Sequence, residues 1–153
     1  IRYLVRGCGC RWVVLDHLSI VVSGLENIDE RRTIDNTMTA LRSLVEELNI
    51  GLILVSHLKR PDGNKGHEEG VTTSLSQLRG SHAIAQLSDI CIGIERNIQD
   101  NENSNYVTIR VLKNRFTGDC GVASILSYNK ETGRLLDCEN LFEEDNDRQA
   151  NTG

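Results

Sequence analysis

Apolar residues along the chain fall into short continuous runs separated by one long helical-period stretch, and this alternation orders the elements. R-W-V-V-L-D (residues 11–16) and L-I-L-V-S-H (52–57) are unbroken apolar runs ending on a polar group. Such runs predict strands covered on both faces, as in a parallel sheet. Between them, Ile34, Met38, Leu41, Leu44, Val45 and Leu48 recur at helical spacing from Arg31 to Asn49, with Asp29 as N-cap and Gly51 as stop. Strand, helix, strand with short joints predicts a βαβ unit with a right-handed crossover. The first residues read as the end of a helix stopped by Gly7 and Gly9, and residues 17–30 as a loop.

Downstream, residues 58–73 hold the only proline, three glycines and three bases, which predicts a long, mobile polar loop. A short helix over about Ser74–Gln86 is followed by a buried strand, D-I-C-I-G-I-E, read as the third of the α/β strands. An Asn/Asp-rich turn then leads to Y-V-T-I-R-V-L-K. G-V-A-S-I-L-S-Y-N-K-E-T-G-R-L-L (121–136) predicts a β-hairpin turning at N-K-E-T-G. The fold class expected is α/β, a parallel sheet extended by an antiparallel hairpin into one mixed sheet.

Charge changes this picture only at one end. The net charge of −5 comes from residues 137–153, which hold six acids and one base, leaving 16 of each in residues 1–136. The domain organisation expected is therefore a neutral body, 1–136, and a flexible acidic tail, 137–153. No apolar run reaches the roughly 18 residues of a membrane span, and I-R-Y-L-V-R-G lacks the apolar core of a signal peptide, so a soluble intracellular chain with no membrane partner is expected. Five cysteines, Cys8, Cys10, Cys91, Cys120 and Cys138, lack a disulfide rhythm and read as reduced thiols. Cys8 and Cys10 could form half a metal site, but no second pair stands at zinc spacing.

The chemistry-bearing residues stand at the ends of these runs. Asp16 closes the first strand, at the edge where open parallel sheets bind ligands; it reads either as a Mg²⁺-holding carboxylate of phosphate-loop type or as the cap of a turn. His57 closes the second strand, as a donor to a terminal phosphate or as a satisfied strand-end histidine. Gln86 stands between Ile84 and Leu87, as a reader of phosphate state or as an ordinary surface residue. Lys113 and Arg115, in V-L-K-N-R-F-T-G-D-C-G, are like charges at i and i+2 of a strand end. They repel if they share a face, so an anion opposite them is expected.

Taken together, W-V-V-L-D-H, L-I-L-V-S-H-L-K, L-R-G-S-H-A-I-A-Q-L-S-D, I-E-R-N, L-K-N-R-F-T-G-D-C-G and Y-N-K-E-T-G resemble, in order and spacing, the C-terminal half of the helicase domain of T-seven-type phage primase-helicases. Mitochondrial Twinkle and the bacterial replicative helicase DnaB are more distant relatives. The resemblance runs from about residue 1 to 137 and implies the C-terminal portion of a RecA-like phosphate-loop NTPase core. It implies a hexameric or heptameric ring that uses Mg²⁺ and ATP or a dNTP, with dTTP among them, to move on single-stranded DNA. By the same resemblance Asp16 holds Mg²⁺ through water, His57 and Gln86 sense the γ-phosphate, and Arg96 and Tyr128 sandwich the nucleotide base. Lys113 and Arg115 reach the neighbour's γ-phosphate, Arg115 as an arginine finger.

The loop after Asp16, Lys59, Arg60 and Lys65, and the segment Arg79, Gly80 and Ser81 would face DNA in the ring's channel. The acidic tail is similar in composition to the family's polymerase-recruiting tail. The compartment implied is phage-infected bacterial cytoplasm or, for a Twinkle relative, the mitochondrion. Two departures stand out. Ala85 occupies a position where the resemblance implies a basic residue, and no G-x-x-x-x-G-K-[ST] occurs in the chain. The phosphate loop and catalytic glutamate are therefore expected upstream of Ile1, and the chain alone is expected not to hydrolyse NTP. The contrasting reading is a non-catalytic RecA-like DNA-binding or ring-scaffold protein. Recombinase and clock-type ATPases lack K-N-R-F-T-G-D together with Y-N-K-E-T-G.

Overall fold

The computed structural model describes residues 1–23, 29–61, 63–78 and 82–138, and divides into two compact units. The first comprises Ile1–Lys59 and Leu75–Asp89, the second Arg60–Ser74 and the chain from Ile90 onward.

In the first unit, helix α1 (Arg2–Arg6) ends as Gly7 N–H donates to Tyr3 O at 2.8 Å. Strand β1 (Trp12–Leu15), helix α2 (Leu18–Ser23), helix α3 (Glu30–Leu48) and strand β2 (Gly51–Leu54) follow. β1 and β2 pair in parallel, Trp12 opposite Gly51 and Leu15 opposite Leu54, which is the predicted βαβ pairing. Asp29 caps α3 as expected, its Oδ1 accepting from Arg31 N at 3.1 Å. The stop lies two residues before Gly51: Asn49 adopts the left-handed conformation (φ 50°, ψ 57°) and donates its N–H to Val45 O. Ile34, Met38 and Leu41 of α3 form a core with Leu18 and Val22 of α2 and Ile84 of helix α4 (Ala83–Leu87).

Helix α2 corrects the expectation of a loop over 17–30. Leu18, only 2% exposed, and Val22 stand four residues apart and bury one apolar stripe against α3. The helix expected over Ser74–Gln86 is instead a single 3₁₀ turn (Leu75–Gln77) and the short α4.

Among the described residues the two strand runs are covered on one face, not on the two expected. Leu15, Leu52 and Leu54 pack on the core. Trp12, Val14 and Ile53, on the other face, are 70%, 65% and 52% exposed. The indole of Trp12 lies across Gly51, where a Cβ would overlap its Cε3. Glycine at position 51 is what leaves room for the ring.

The second unit is an antiparallel sheet in the order β3 (Ile90–Glu95), β4 (Tyr106–Asn114), β5 (Gly121–Asn129), β6 (Arg134–Asp137). β3 is thus bonded to β4 and belongs to the antiparallel set, not to the parallel one, and among the described residues the parallel and antiparallel strands form two sheets. The connection explains it, since residues 96–105 are too few for a parallel crossover, which takes about a dozen or more. They fold as stacked Asx turns: Asn97 Oδ1 accepts from Gln99 N and Asp100 N, and Asp100 Oδ1 from Glu102 N and Asn103 N. The β5–β6 hairpin turns where predicted, Asn129 Oδ1 accepting from Glu131 N and Thr132 N, with Gly133 at φ +68°. All five cysteines are free thiols, and no helix among the described residues is long and apolar enough to cross a membrane. The acidic tail lies, from residue 139 on, outside the described residues.

Candidate nucleotide- and DNA-facing residues

In the first unit, parallel pairing brings two polar strand ends to one edge. The ladder continues past the strands, Val55 N–H donating to Leu15 O at 2.9 Å and Leu18 N–H to Val55 O at 3.0 Å. Asp16, between those two rungs, and His57, two residues beyond Val55, therefore leave the sheet at the same carboxyl edge, both exposed. An exposed carboxylate there fits a divalent ion held through water. Among the described residues no three His, Cys, Asp or Glu side chains cluster to ligate a metal, Cys8 and Cys10 included.

His17, to which the sequence motifs assign no role, meets His57 edge to face, ring centroids 4.2 Å apart, and its buried Nδ1 has no hydrogen-bond partner among the described residues. Its only sequence signal is its place directly after Asp16. Gln86 is exposed on α4 beside Ile84, which is buried. After His57, Leu58 bridges to Leu78, and Lys59 N–H donates to Gln77 O at 2.6 Å. The stretch carrying Lys59 is thereby paired to the stretch that leads to Arg79, Gly80 and Ser81, which lie outside the described residues.

In the second unit the two predicted base-binding residues meet. The Arg96 guanidinium carbon sits 4.9 Å from the Tyr128 ring centroid, a cation–π contact. Arg96 Nε also donates to Ser104 O at 2.7 Å, a carbonyl placed by the Asx turns. With the two groups in direct contact, no planar base fits between them until they part. Lys113 is half-buried near the end of β4, but the strand stops at Asn114, so Arg115 stands in the following turn and not on a strand face with Lys113. Asn114 imposes the stop, its Oδ1 accepting from Phe116 N at 3.1 Å and Thr117 N at 3.4 Å. The like-charge argument from strand alternation therefore does not apply, although Arg115 is exposed at the tip.

Arg60 and Lys65 are exposed on the segment expected to be a mobile loop. From Gly66 on, that segment is turned and anchored. Gly66 N–H donates to Glu69 Oε2 at 2.7 Å, and Gly70 N–H to His67 O at 3.1 Å. Ile98 N–H donates to Glu68 O at 3.0 Å, and Glu69 bridges to Asn97. Thr73 donates both its N–H (2.8 Å) and its hydroxyl (2.7 Å) to Glu95 Oε1. Arg110 adds Nε at 2.8 Å to the same oxygen and a second nitrogen at 3.1 Å to Oε2. Burial pushes the Glu95 carboxyl up, but the bonds from Arg110 and Thr73 outweigh it and hold the group below its ordinary value. Sequence reasoning missed this cluster, whose members are far apart in the chain.

Comparison with known proteins gives a consistent set of relatives. The family described as "DnaB-like helicase C terminal domain" matches residues 1–137. A DNA helicase/primase of Enterobacteria phage T3 is 48% identical over 135 residues, covering 88% of this chain and 24% of that protein. The replicative DNA helicase DnaB of Leifsonia xyli subsp. xyli is 28% identical over 119 residues, covering 74% of this chain and 25% of its own length. The chain thus spans about a quarter of the length of each relative. Among solved structures, one described as an ATPase domain superposes with a TM-score of 0.70 at 26% identity, over 84% of this chain and 44% of that one. A DnaB-like replicative helicase studied with primase gives 0.63 at 26% identity, over 75% and 27%.

Proposed function

The chain belongs to the DnaB-like helicase C-terminal domain family, and from that premise we propose that it forms part of a ring-shaped replicative motor that couples NTP hydrolysis to movement along single-stranded DNA. The observation that carries the reading is the common carboxyl edge of β1 and β2, where Asp16 and His57 emerge together. A carboxylate and an imidazole on one sheet edge suit a nucleotide's metal and terminal phosphate. Mg²⁺, when bound with ATP or a dNTP, would neutralise charge on the phosphate oxygens; Asp16 would hold it through water. His57 would donate to the terminal phosphate, with Gln86 as a second sensor.

Arg96 and Tyr128, parting from their mutual contact, would admit the base between them. Arg115, exposed at the tip after β4, suits a group supplied in trans to a neighbour's phosphate, with Lys113 of β4 as a second base toward it. Lys59, Arg60 and Lys65, with Arg79, Gly80 and Ser81, would track the strand's phosphates. A homo-oligomeric ring of six or seven members, an intracellular location and recruitment of a DNA polymerase by the acidic tail complete the proposal. Such a motor needs a phosphate loop, which these 153 residues do not contain.

The test is single-strand-stimulated NTP hydrolysis by the intact protein. Arg115→Ala is expected to reduce it by about 10³–10⁵-fold, and mixing with a phosphate-loop lysine variant is expected to restore part of the rate. Normal hydrolysis by Arg115→Ala would refute the finger. No hydrolysis by the unaltered intact protein would favour the scaffold reading.

A further inference from the structure

The segment bearing Arg60 and Lys65 and the strand end bearing Arg96 are fastened to each other at several points. Thr73 and Glu95 join directly, Glu69 bridges to Asn97, and Ile98 N–H reaches Glu68 O. Arg96 sits between two of these fastenings, flanked in sequence by Glu95 and Asn97. Thr73 is 5% exposed, and it fits because residue 93 is glycine: a Cβ there would overlap the Thr73 hydroxyl. Glu95 is the centre of the arrangement, since one of its oxygens receives three donors and the other holds Arg110 of β4.

We infer that Glu95 is a positioning residue that couples the strand-phosphate segment to the nucleotide-base pair Arg96 and Tyr128. The inference rests on the proposed function above. The chain from Lys65 to Thr73 is short and turned, so a phosphate drawn onto Lys65 pulls on Thr73. Thr73 bears on Glu95, and Glu95 precedes the arginine that must leave Tyr128 for a base to enter. The parting of that pair and the seating of the segment are therefore one motion. Coupling of this kind is reciprocal: DNA must change nucleotide affinity by the same factor as nucleotide changes DNA affinity.

The experiment measures both affinities on the intact protein, using a labelled oligothymidylate and a β,γ-imido nucleotide, each with and without the other. In the unaltered protein each ligand is expected to change the other's affinity by about 5- to 150-fold. Thr73→Val, which removes the hydroxyl donor and leaves the Thr73 N–H bond and the Glu95–Arg110 pair, is expected to lower that factor while each ligand alone binds as before. Glu95→Gln should do the same, and Thr73→Ser, which restores the hydroxyl, should restore the coupling. A variant that only damaged folding would weaken both ligands and leave the factor unchanged. An unchanged factor in Thr73→Val and Glu95→Gln would overturn the inference and leave the proposed function standing. If the unaltered intact protein binds neither ligand, the proposed function falls, and this inference with it.

Discussion

Gly93→Ala adds one methyl group where the second unit has no room for it. The new Cβ would overlap the Thr73 hydroxyl oxygen and lie 3.1 Å from Thr73 Cβ and 3.4 Å from Leu112 Cδ1. Thr73 must retreat, and its hydroxyl then leaves Glu95. Overpacking of this kind costs about 1–3 kcal/mol, and a hydrogen bond to a charged group is worth about 1.5–3 kcal/mol. Replacing glycine inside a strand returns about 0.5–1 kcal/mol. The net expectation is a loss of about 2–5 kcal/mol, which for a chain of this length lowers the melting temperature by about 5–20 °C. The assay is a double-mutant cycle read by thermal or urea unfolding. In a Thr73→Ala background the overlapping oxygen is gone, and Gly93→Ala should cost less than about 1 kcal/mol. An equal cost in both backgrounds would show that Thr73 is not what the glycine accommodates, and the account of the anchored segment would fail.

Two further outcomes follow from packing and charge. Leu18→Ala, at the most buried position of the core between α2 and α3, should destabilise by about 2–5 kcal/mol in urea unfolding; a loss under about 1 kcal/mol would mean that α2 does not seal that core. Glu95 titrates below its ordinary value of 4.5. A depressed folded-state value places its contribution to stability above that pH and removes it as the pH falls through the lower folded value. Stability should therefore decline on acidification below about pH 5, more steeply in the unaltered protein than in Glu95→Gln; parallel profiles would contradict the assignment.

Elements whose signals are local were legible in the sequence. Helix α3 has its cap at Asp29 and its apolar stripe within one segment, and the β5–β6 hairpin has its whole turn chemistry in Asn129–Gly133. Parallel pairing of β1 with β2 followed from the short joints and the long helix between them. What escaped depended on partners distant in the chain or on small shifts of a boundary. Helix α2 is six residues long and buries only Leu18 and Val22 of its four apolar side chains, a pattern too short for a helical period to stand out. β3 reads like a buried parallel strand by composition, and only the Asx turns of residues 96–105 fold it back on β4.

Arg115 looked like a strand residue because the apolar run continues to Leu112, whereas one side-chain oxygen on Asn114 ends the strand. Asp16 and His57 were visible as strand ends. Arg96 and Tyr128 carried no local signal and entered only through resemblance, and the anchoring of Thr73 by Glu95 spans 22 residues, beyond the reach of any periodicity.

The chain has one tryptophan, and its indole lies against Gly51 on the exposed face of the strand pair. An indole already in water emits at the long wavelength of a solvated fluorophore, so denaturant should scarcely move the emission maximum even as the core melts. Intrinsic fluorescence will understate unfolding in this chain, and circular dichroism will have to report it. The same optical property makes Trp12 an unlabelled sensor of encounter. Whatever comes to cover that face, on the strand that leads into Asp16, will announce itself as a shift to the blue.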